Sequence, residues 1–162
     1  MKNLLITLLL TVVSLTTYSQ SKLDYLVLKR VNQYRTELGL NTLKFNDTLF
    51  LIAEHHTDYI VKVGERTHTE KSDTPNPYDR FCKYGLRRGF TELGEIIAFA
   101  TYVENKSLND VAEYIFQQWK GSPGHHKIMT TPKFVKVGVS TKLGVINEYN
   151  RMCYISTLNV CD

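Results

Sequence analysis

From Leu4 to Leu15 the chain is almost wholly apolar, broken only by Thr and Ser, and the run follows Lys2. A basic start before a short apolar stretch is the pattern of a secretion signal. A membrane-spanning helix needs about 20 apolar residues, and this run gives out at Thr16 and Thr17. Thr17 and Ser19 are small enough for the specificity positions before a signal-peptidase cut, so residues 1–19 are expected to be removed, with cleavage after Ser19 or Gln20. No cysteine precedes Cys82, which leaves no lipobox, and no later stretch is long and apolar enough to span a bilayer. The mature protein is therefore expected to be secreted or periplasmic and not membrane-spanning. What remains is roughly 140 residues, enough for one domain around a single core.

Export also changes how the cysteines read. Cys82, Cys153 and Cys161 are an odd number in an oxidising compartment, so one disulfide and one free thiol is the simplest expectation. Cys153 and Cys161 are nearest in sequence, but spacing does not choose among the three pairings. None stands in a C-x-x-C spacing, which argues against a cysteine metal site. The net charge of +4 is modest, and the basic residues are scattered, with Arg87–Arg88 as a basic pair that suggests a patch. Nucleic-acid binding needs a clustered basic surface, so that class is excluded.

Hydrophobic periodicity places helices first. Leu23, Val27, Val31, Tyr34 and Leu38 recur at helical spacing, with Gly39 as the stop. Asn46 or Asp47 caps a second helix, whose apolar face runs through Leu49, Ile52, Ala53, His56, Tyr59, Ile60 and Val63 to Gly64. The polar segment from Glu65 to Pro77 reads as loop, followed by a helical turn over Asp79–Tyr84. Glu95–Tyr102 reads as a buried strand, Ser107 as the cap of a helix ending near Trp119, and a further turn follows Ser122-Pro123-Gly124. Val135, Val137 and Val139 alternate, as do Cys153, Ile155 and Thr157, with a turn near Asn147 between two strands. Helices with an antiparallel sheet from one chain predict an α+β sandwich.

Chemistry could reside in the five histidines and one glutamate. His56 lies on the apolar face of its helix and is expected to be a hydrogen-bonded core residue, while His55 beside it is expected to be solvated. His68 sits in the loop Thr67-His68-Thr69, where a side chain can face a cleft. His125 follows the Ser122-Pro123-Gly124 turn, and His126 faces away unless it substitutes for His125. Glu95 opens an otherwise apolar strand, and a carboxylate there is costly unless paired. Two imidazoles and a carboxylate brought together could satisfy one another or hold a divalent cation.

In order along the chain, these segments resemble one family. Val31-Asn32-Gln33-Tyr34-Arg35 followed by Gly39-Leu40-Asn41-Thr42-Leu43 is similar to the first helix and loop of the CAP superfamily, which groups cysteine-rich secretory proteins, antigen 5 and pathogenesis-related protein 1 (the SCP domain). Thr67-His68-Thr69 resembles its Ser-His-Thr element, Asn76 to Phe81 its Pro-Phe-Asp-Arg segment, and Gly94-Glu95-Ile96-Ile97-Ala98 its Gly-Glu-Asn-Ile-Ala signature. Trp119 through His125 matches Trp-x-x-Ser-Pro-Gly-His, and Phe134 with Val137-Gly138-Val139 fits the strand that follows. The resemblance runs from about Leu23 to Leu158 and is nearest to the bacterial secreted members. It implies an α-β-α sandwich, with a three- or four-stranded antiparallel sheet between helical layers, formed by residues 20–162 as a single domain.

The resemblance also implies a cleft of two histidines and two glutamates. By matched motif His68, Glu95 and His125 are carried over, and Ser122 stands near the place of the second glutamate. Ile96 replaces the usual Asn. Three functions stay open. A binding module would hold a lipid, sterol, peptide or cell-envelope component, with Tyr59, Tyr78, Tyr84 and Phe99 as candidate apolar lining. A metal-dependent hydrolase would hold zinc or another divalent cation on His68 and His125, with Glu95 as the candidate catalytic residue. An interaction domain would use the Glu65–Pro77 loop, with the triad purely structural. Gly121-Ser122-Pro123-Gly124 lacks the G-x-S-x-G elbow of a serine hydrolase.

Overall fold

Ser21 starts the first helix with a reciprocal cap: its side chain accepts from the Asp24 amide, while the Asp24 carboxylate accepts from the Ser21 amide. The computed structural model describes residues 20–86 and 89–162; the expected signal segment 1–19 and the Arg87–Arg88 pair lie outside the described residues. Helix α1 (Lys22–Glu37) buries Leu23, Val27, Leu28 and Val31, and the chain turns at Gly39, φ 72°. Strand β1 (Lys44–Phe45) is a two-residue element that sequence periodicity does not signal. Helix α2 (Asp47–Val63) is capped by Asn46, which accepts from the Leu49 amide at 3.0 Å, and ends at Gly64 in the left-handed conformation.

Helix α3 (Pro77–Lys83) begins two residues ahead of the predicted turn, because Asn76 caps it and Pro77 fits its first position. Strand β2 (Leu93–Thr101) follows, then helix α4 (Leu108–Gly121) behind the Ser107 cap. Helix α5 (Pro123–Thr130) starts at the Ser122-Pro123 break. Strands β3 (Lys136–Ile146) and β4 (Arg151–Cys161) form a hairpin across the turn after Asn147.

The sheet order is β1-β3-β4-β2. The last three strands are antiparallel, as expected, whereas β1 runs parallel to β3, so the four-stranded sheet is mixed. One face of the sheet, with Ile96, Ala98, Val137, Val139, Leu158 and Val160, packs under α1, α4 and α5 around the fully buried Trp119. The other face packs under α2, where Ile60 meets Ile97 and Ile155, and Phe81 of α3 meets Leu49, Ile52 and Cys161. This is the α-β-α sandwich.

Two contacts set its spacing. A Cβ on Gly138 of β3 would overlap the Phe50 amide nitrogen and the Leu49 carbonyl carbon, so only glycine lets α2 lie this close to the sheet. On the opposite side the buried Arg35 guanidinium donates to four carbonyls: Asn41 (2.8 Å), Met129 (2.7 Å), Thr131 (3.1 Å) and Phe134 (3.0 Å). That cation fastens α1 to the end of α5 without a carboxylate.

The expected disulfide does not form. Cys82, Cys153 and Cys161 are all free thiols. Cys153 and Cys161 lie near opposite ends of β4, about 26 Å apart at ~3.3 Å per residue, whereas a disulfide needs Cα atoms within about 7 Å. Among the described residues no helix is long and apolar enough to cross a membrane.

Candidate functional site

The site grows from a buried ion network at the start of β2. Glu95 is 7% exposed, which would be untenable for a lone carboxylate. Arg80 of α3, wholly buried, donates from one nitrogen to both Glu95 oxygens at 2.8 Å. The same nitrogen donates to the His68 carbonyl at 3.1 Å, which fixes the loop after α2. The other terminal nitrogen of Arg80 lies 3.4 Å from Glu70 Oε1. Glu70, itself 5% exposed, meets His56 Nδ1 at 2.7 Å and His55 Nε2 at 3.2 Å. His56 Nε2 faces the Thr67 carbonyl at 3.0 Å and stacks its ring on Tyr59. Asn159 of β4, paired with Glu95 across the sheet, reaches Glu95 Oε2 at 3.2 Å with its carboxamide turned to donate.

The core assignment of His56 holds. His55 differs from expectation: it is half-buried, held between Glu70 and the Tyr84 hydroxyl at 3.2 Å, because the loop folds Glu70 back over α2. Glu70 carries no signal of a site in the sequence, and Arg80 is marked only by its place in the Asn76–Phe81 segment. Glu70 is a charged residue in a polar stretch, which reads as solvated surface, and the partners of both are remote in sequence.

Over this foundation stands the cleft. His68 Nδ1 lies 3.0 Å from Glu95 Oε1, so the carboxylate orients the ring, while half of the His68 side chain is exposed. His68 and His125, from opposite sides of the sheet, line one hollow of about 310 Å³ with Arg66, Ile97, Phe99 and Glu148. Arg66 lies over the Phe99 ring, 5.1 Å from its centroid. His126 turns instead toward α1, 3.0 Å from the Tyr34 hydroxyl, so it does not substitute for His125. Ser122 is half-buried at the α4–α5 junction, makes no side-chain cap hydrogen bond, and does not line the hollow. Among the predicted aromatics only Phe99 lines it. A hollow of about 440 Å³ between the end of β2 and α4, bordered by Val103, Val111 and Tyr114, carries no imidazole.

The charges here are tuned by burial and by their neighbours. Burial alone would raise the Glu95 carboxyl, but the His68 hydrogen bond and the charges of His56 and Arg80 outweigh it and hold it below the usual range. Burial lowers His56, with Arg80 adding to that and Glu95 and Glu70 opposing. Burial and the neighbouring His68 lower His125, favouring a neutral ring. Glu95 is thus a poor general base: it is ionised, but both oxygens are committed and its proton affinity is low. A catalytic zinc uses three protein ligands plus an open position. The cleft offers His68 Nε2 and a His125 nitrogen, and among the described residues no group of three or more His, Cys, Asp or Glu could hold a metal ion. The donor set does not fit a catalytic zinc.

An α-β-α sandwich with one histidine from the loop after α2 and another from α5, facing a cleft above a buried Glu–Arg pair, defines an SCP-type domain. The chain belongs to the cysteine-rich secretory protein (CAP) family, whose sequence model matches residues 28–155. No curated protein matches it. Among solved structures it is similar to an outer surface protein of Borrelia burgdorferi, at 23% identity and TM-score 0.65, over 89% of this chain and 96% of that one. It is also similar to an extracellular protein containing an SCP domain from Bacillus anthracis, at 21% identity and TM-score 0.64, and to a cysteine-rich secretory protein of Staphylococcus aureus, at 15% and 0.58. Each of these two matches covers 86% of this chain but only 40% and 38% of those longer proteins.

Proposed function

We propose that the protein is an exported binding module, whose cleft between His68 and His125 receives part of a lipid, peptide or cell-envelope molecule. The supporting observation is the division of labour around Glu95: His68 and His125 face the open cleft, while Glu95 is locked beneath by Arg80. Such a site presents hydrogen-bonding rings beside the apolar Ile97 and Phe99, which suits recognition better than water activation. The described neighbours, an outer surface protein and an extracellular one, support export. A divalent cation held by the two rings would have to complete its coordination from water or from the bound molecule.

The test follows the His68 and His125 ring signals by NMR during titration with vesicles, glycans and peptides. The expected result is a saturable shift of both rings with one ligand class, lost in His68→Ala/His125→Ala. A partner captured equally well by that double variant would favour an interaction surface elsewhere. Peptide or ester turnover abolished by Glu95→Gln, in a variant that keeps its fold, would favour the hydrolase.

A further inference from the structure

β2 is an edge strand, and its alternation decides which backbone groups it leaves unpaired. The Tyr102 amide, just past the strand, donates to the Met152 carbonyl. By antiparallel alternation, Ala100, Ala98 and Ile96 turn their amides and carbonyls toward β4, while Phe99, Ile97 and Glu95 turn theirs outward. The outward pair of Phe99 is satisfied by a side chain. Its amide donates to Gln118 Oε1 at 3.2 Å, and Gln118 Nε2 donates to its carbonyl at 3.1 Å. One carboxamide thus makes the two bonds that a residue of an added strand would make.

Ile97 is the next outward residue, about 6.8 Å along the strand toward Glu95. Its amide and carbonyl have no protein partner among the described residues, yet it is only 5% exposed and lines the cleft between His68 and His125. A backbone amide and carbonyl left without a protein partner are satisfied by water or by a ligand. An acyl chain has nothing to offer an amide and a carbonyl spaced as in a strand, whereas a peptide backbone has both.

Building on the proposed binding cleft, we infer that its ligand is a peptide in extended conformation, which adds to the β2 edge by pairing with Ile97. His68 and His125 flank that pairing point, one from each helical layer. Gln118 ends the open edge at Phe99, so the peptide register is fixed by where the carboxamide stops.

The test uses ¹⁵N-labelled protein and a mixture of acetylated, amidated tetrapeptides randomised at every position, compared with the same mixture carrying N-methylated peptide bonds. Saturation with the plain mixture is expected to slow solvent exchange of the Ile97 amide roughly tenfold, the effect of about one net hydrogen bond, while the N-methylated mixture does not. In Gln118→Ala the Phe99 amide loses its protection and regains it when peptide binds. An unchanged Ile97 amide, with peptides nevertheless shifting the His68 and His125 rings, overturns strand pairing. Vesicles or glycans shifting those rings while peptides do not overturns the peptide assignment and leaves the cleft standing. Rings unmoved by every class overturn both.

Discussion

At the scale of single residues, Arg80 and His68 touch the same carboxylate but answer to different demands. Arg80 is wholly buried and offsets two buried glutamates; His68 is half exposed and sits above one of them. Arg80→Leu leaves Glu95 and Glu70 without their cation, a loss of about 3–5 kcal/mol. His68→Ala keeps the Glu95–Arg80 pair and is expected to cost under about 1 kcal/mol. Urea unfolding of the two variants measures the contrast. Acid separates them further. The folded Glu95 carboxyl lies below its usual range, so its contribution is intact above the unfolded value near 4.3 and disappears as pH falls through the folded value. Wild-type urea midpoints should therefore drop on acidification below about pH 4, and Glu95→Gln should show lower stability at neutral pH with a flatter acid limb.

Residue chemistry also explains what could be read in advance. His68, Glu95 and His125 stand out because each interrupts a pattern: a loop motif, an apolar strand, a Pro-Gly turn. Glu70 interrupts nothing, since a charge in a polar stretch is the ordinary case, and Arg80 is marked only by its place in the Asn76–Phe81 segment. Their burial depends on a fold of the loop that pairs residues far apart in sequence.

At the scale of elements, caps and periodicity mark the long helices well, because Asn46 and Ser107 each satisfy an orphan amide at a helix start. β1 escapes because two residues carry no period, and only its pairing with β3 defines it. The Gly138 approach is equally silent in sequence, yet it sets the distance between α2 and the sheet. Gly138→Ala must push backbone against backbone, so the cost should reach or exceed the ~3 kcal/mol upper end for overpacking. A thermal melt measures it, and an unchanged midpoint would mean that α2 can slide on β3.

For the whole molecule, the family resemblance anticipates the sandwich, but the disulfide expected from an odd cysteine count does not form. Counting thiols ignores that Cys153 and Cys161 are held apart by the length of one strand. Cys153 and Cys161 are buried, and burial raises both thiols above the ordinary range. Native protein should accordingly react with a thiol reagent at Cys82 alone, and denatured protein at all three. Reductant should leave the melting temperature unchanged.

The Gln118 clasp has a meaning for the molecule in a crowd as well as for a ligand. A strand edge with unpaired amides is a template on which copies of a protein can stack into fibrils. By occupying one step of that edge with its own side chain, the chain interrupts the template beside the very stretch it leaves open. Gln118→Ala should then form thioflavin-positive aggregates sooner than wild type under gentle agitation, at concentrations where both remain folded.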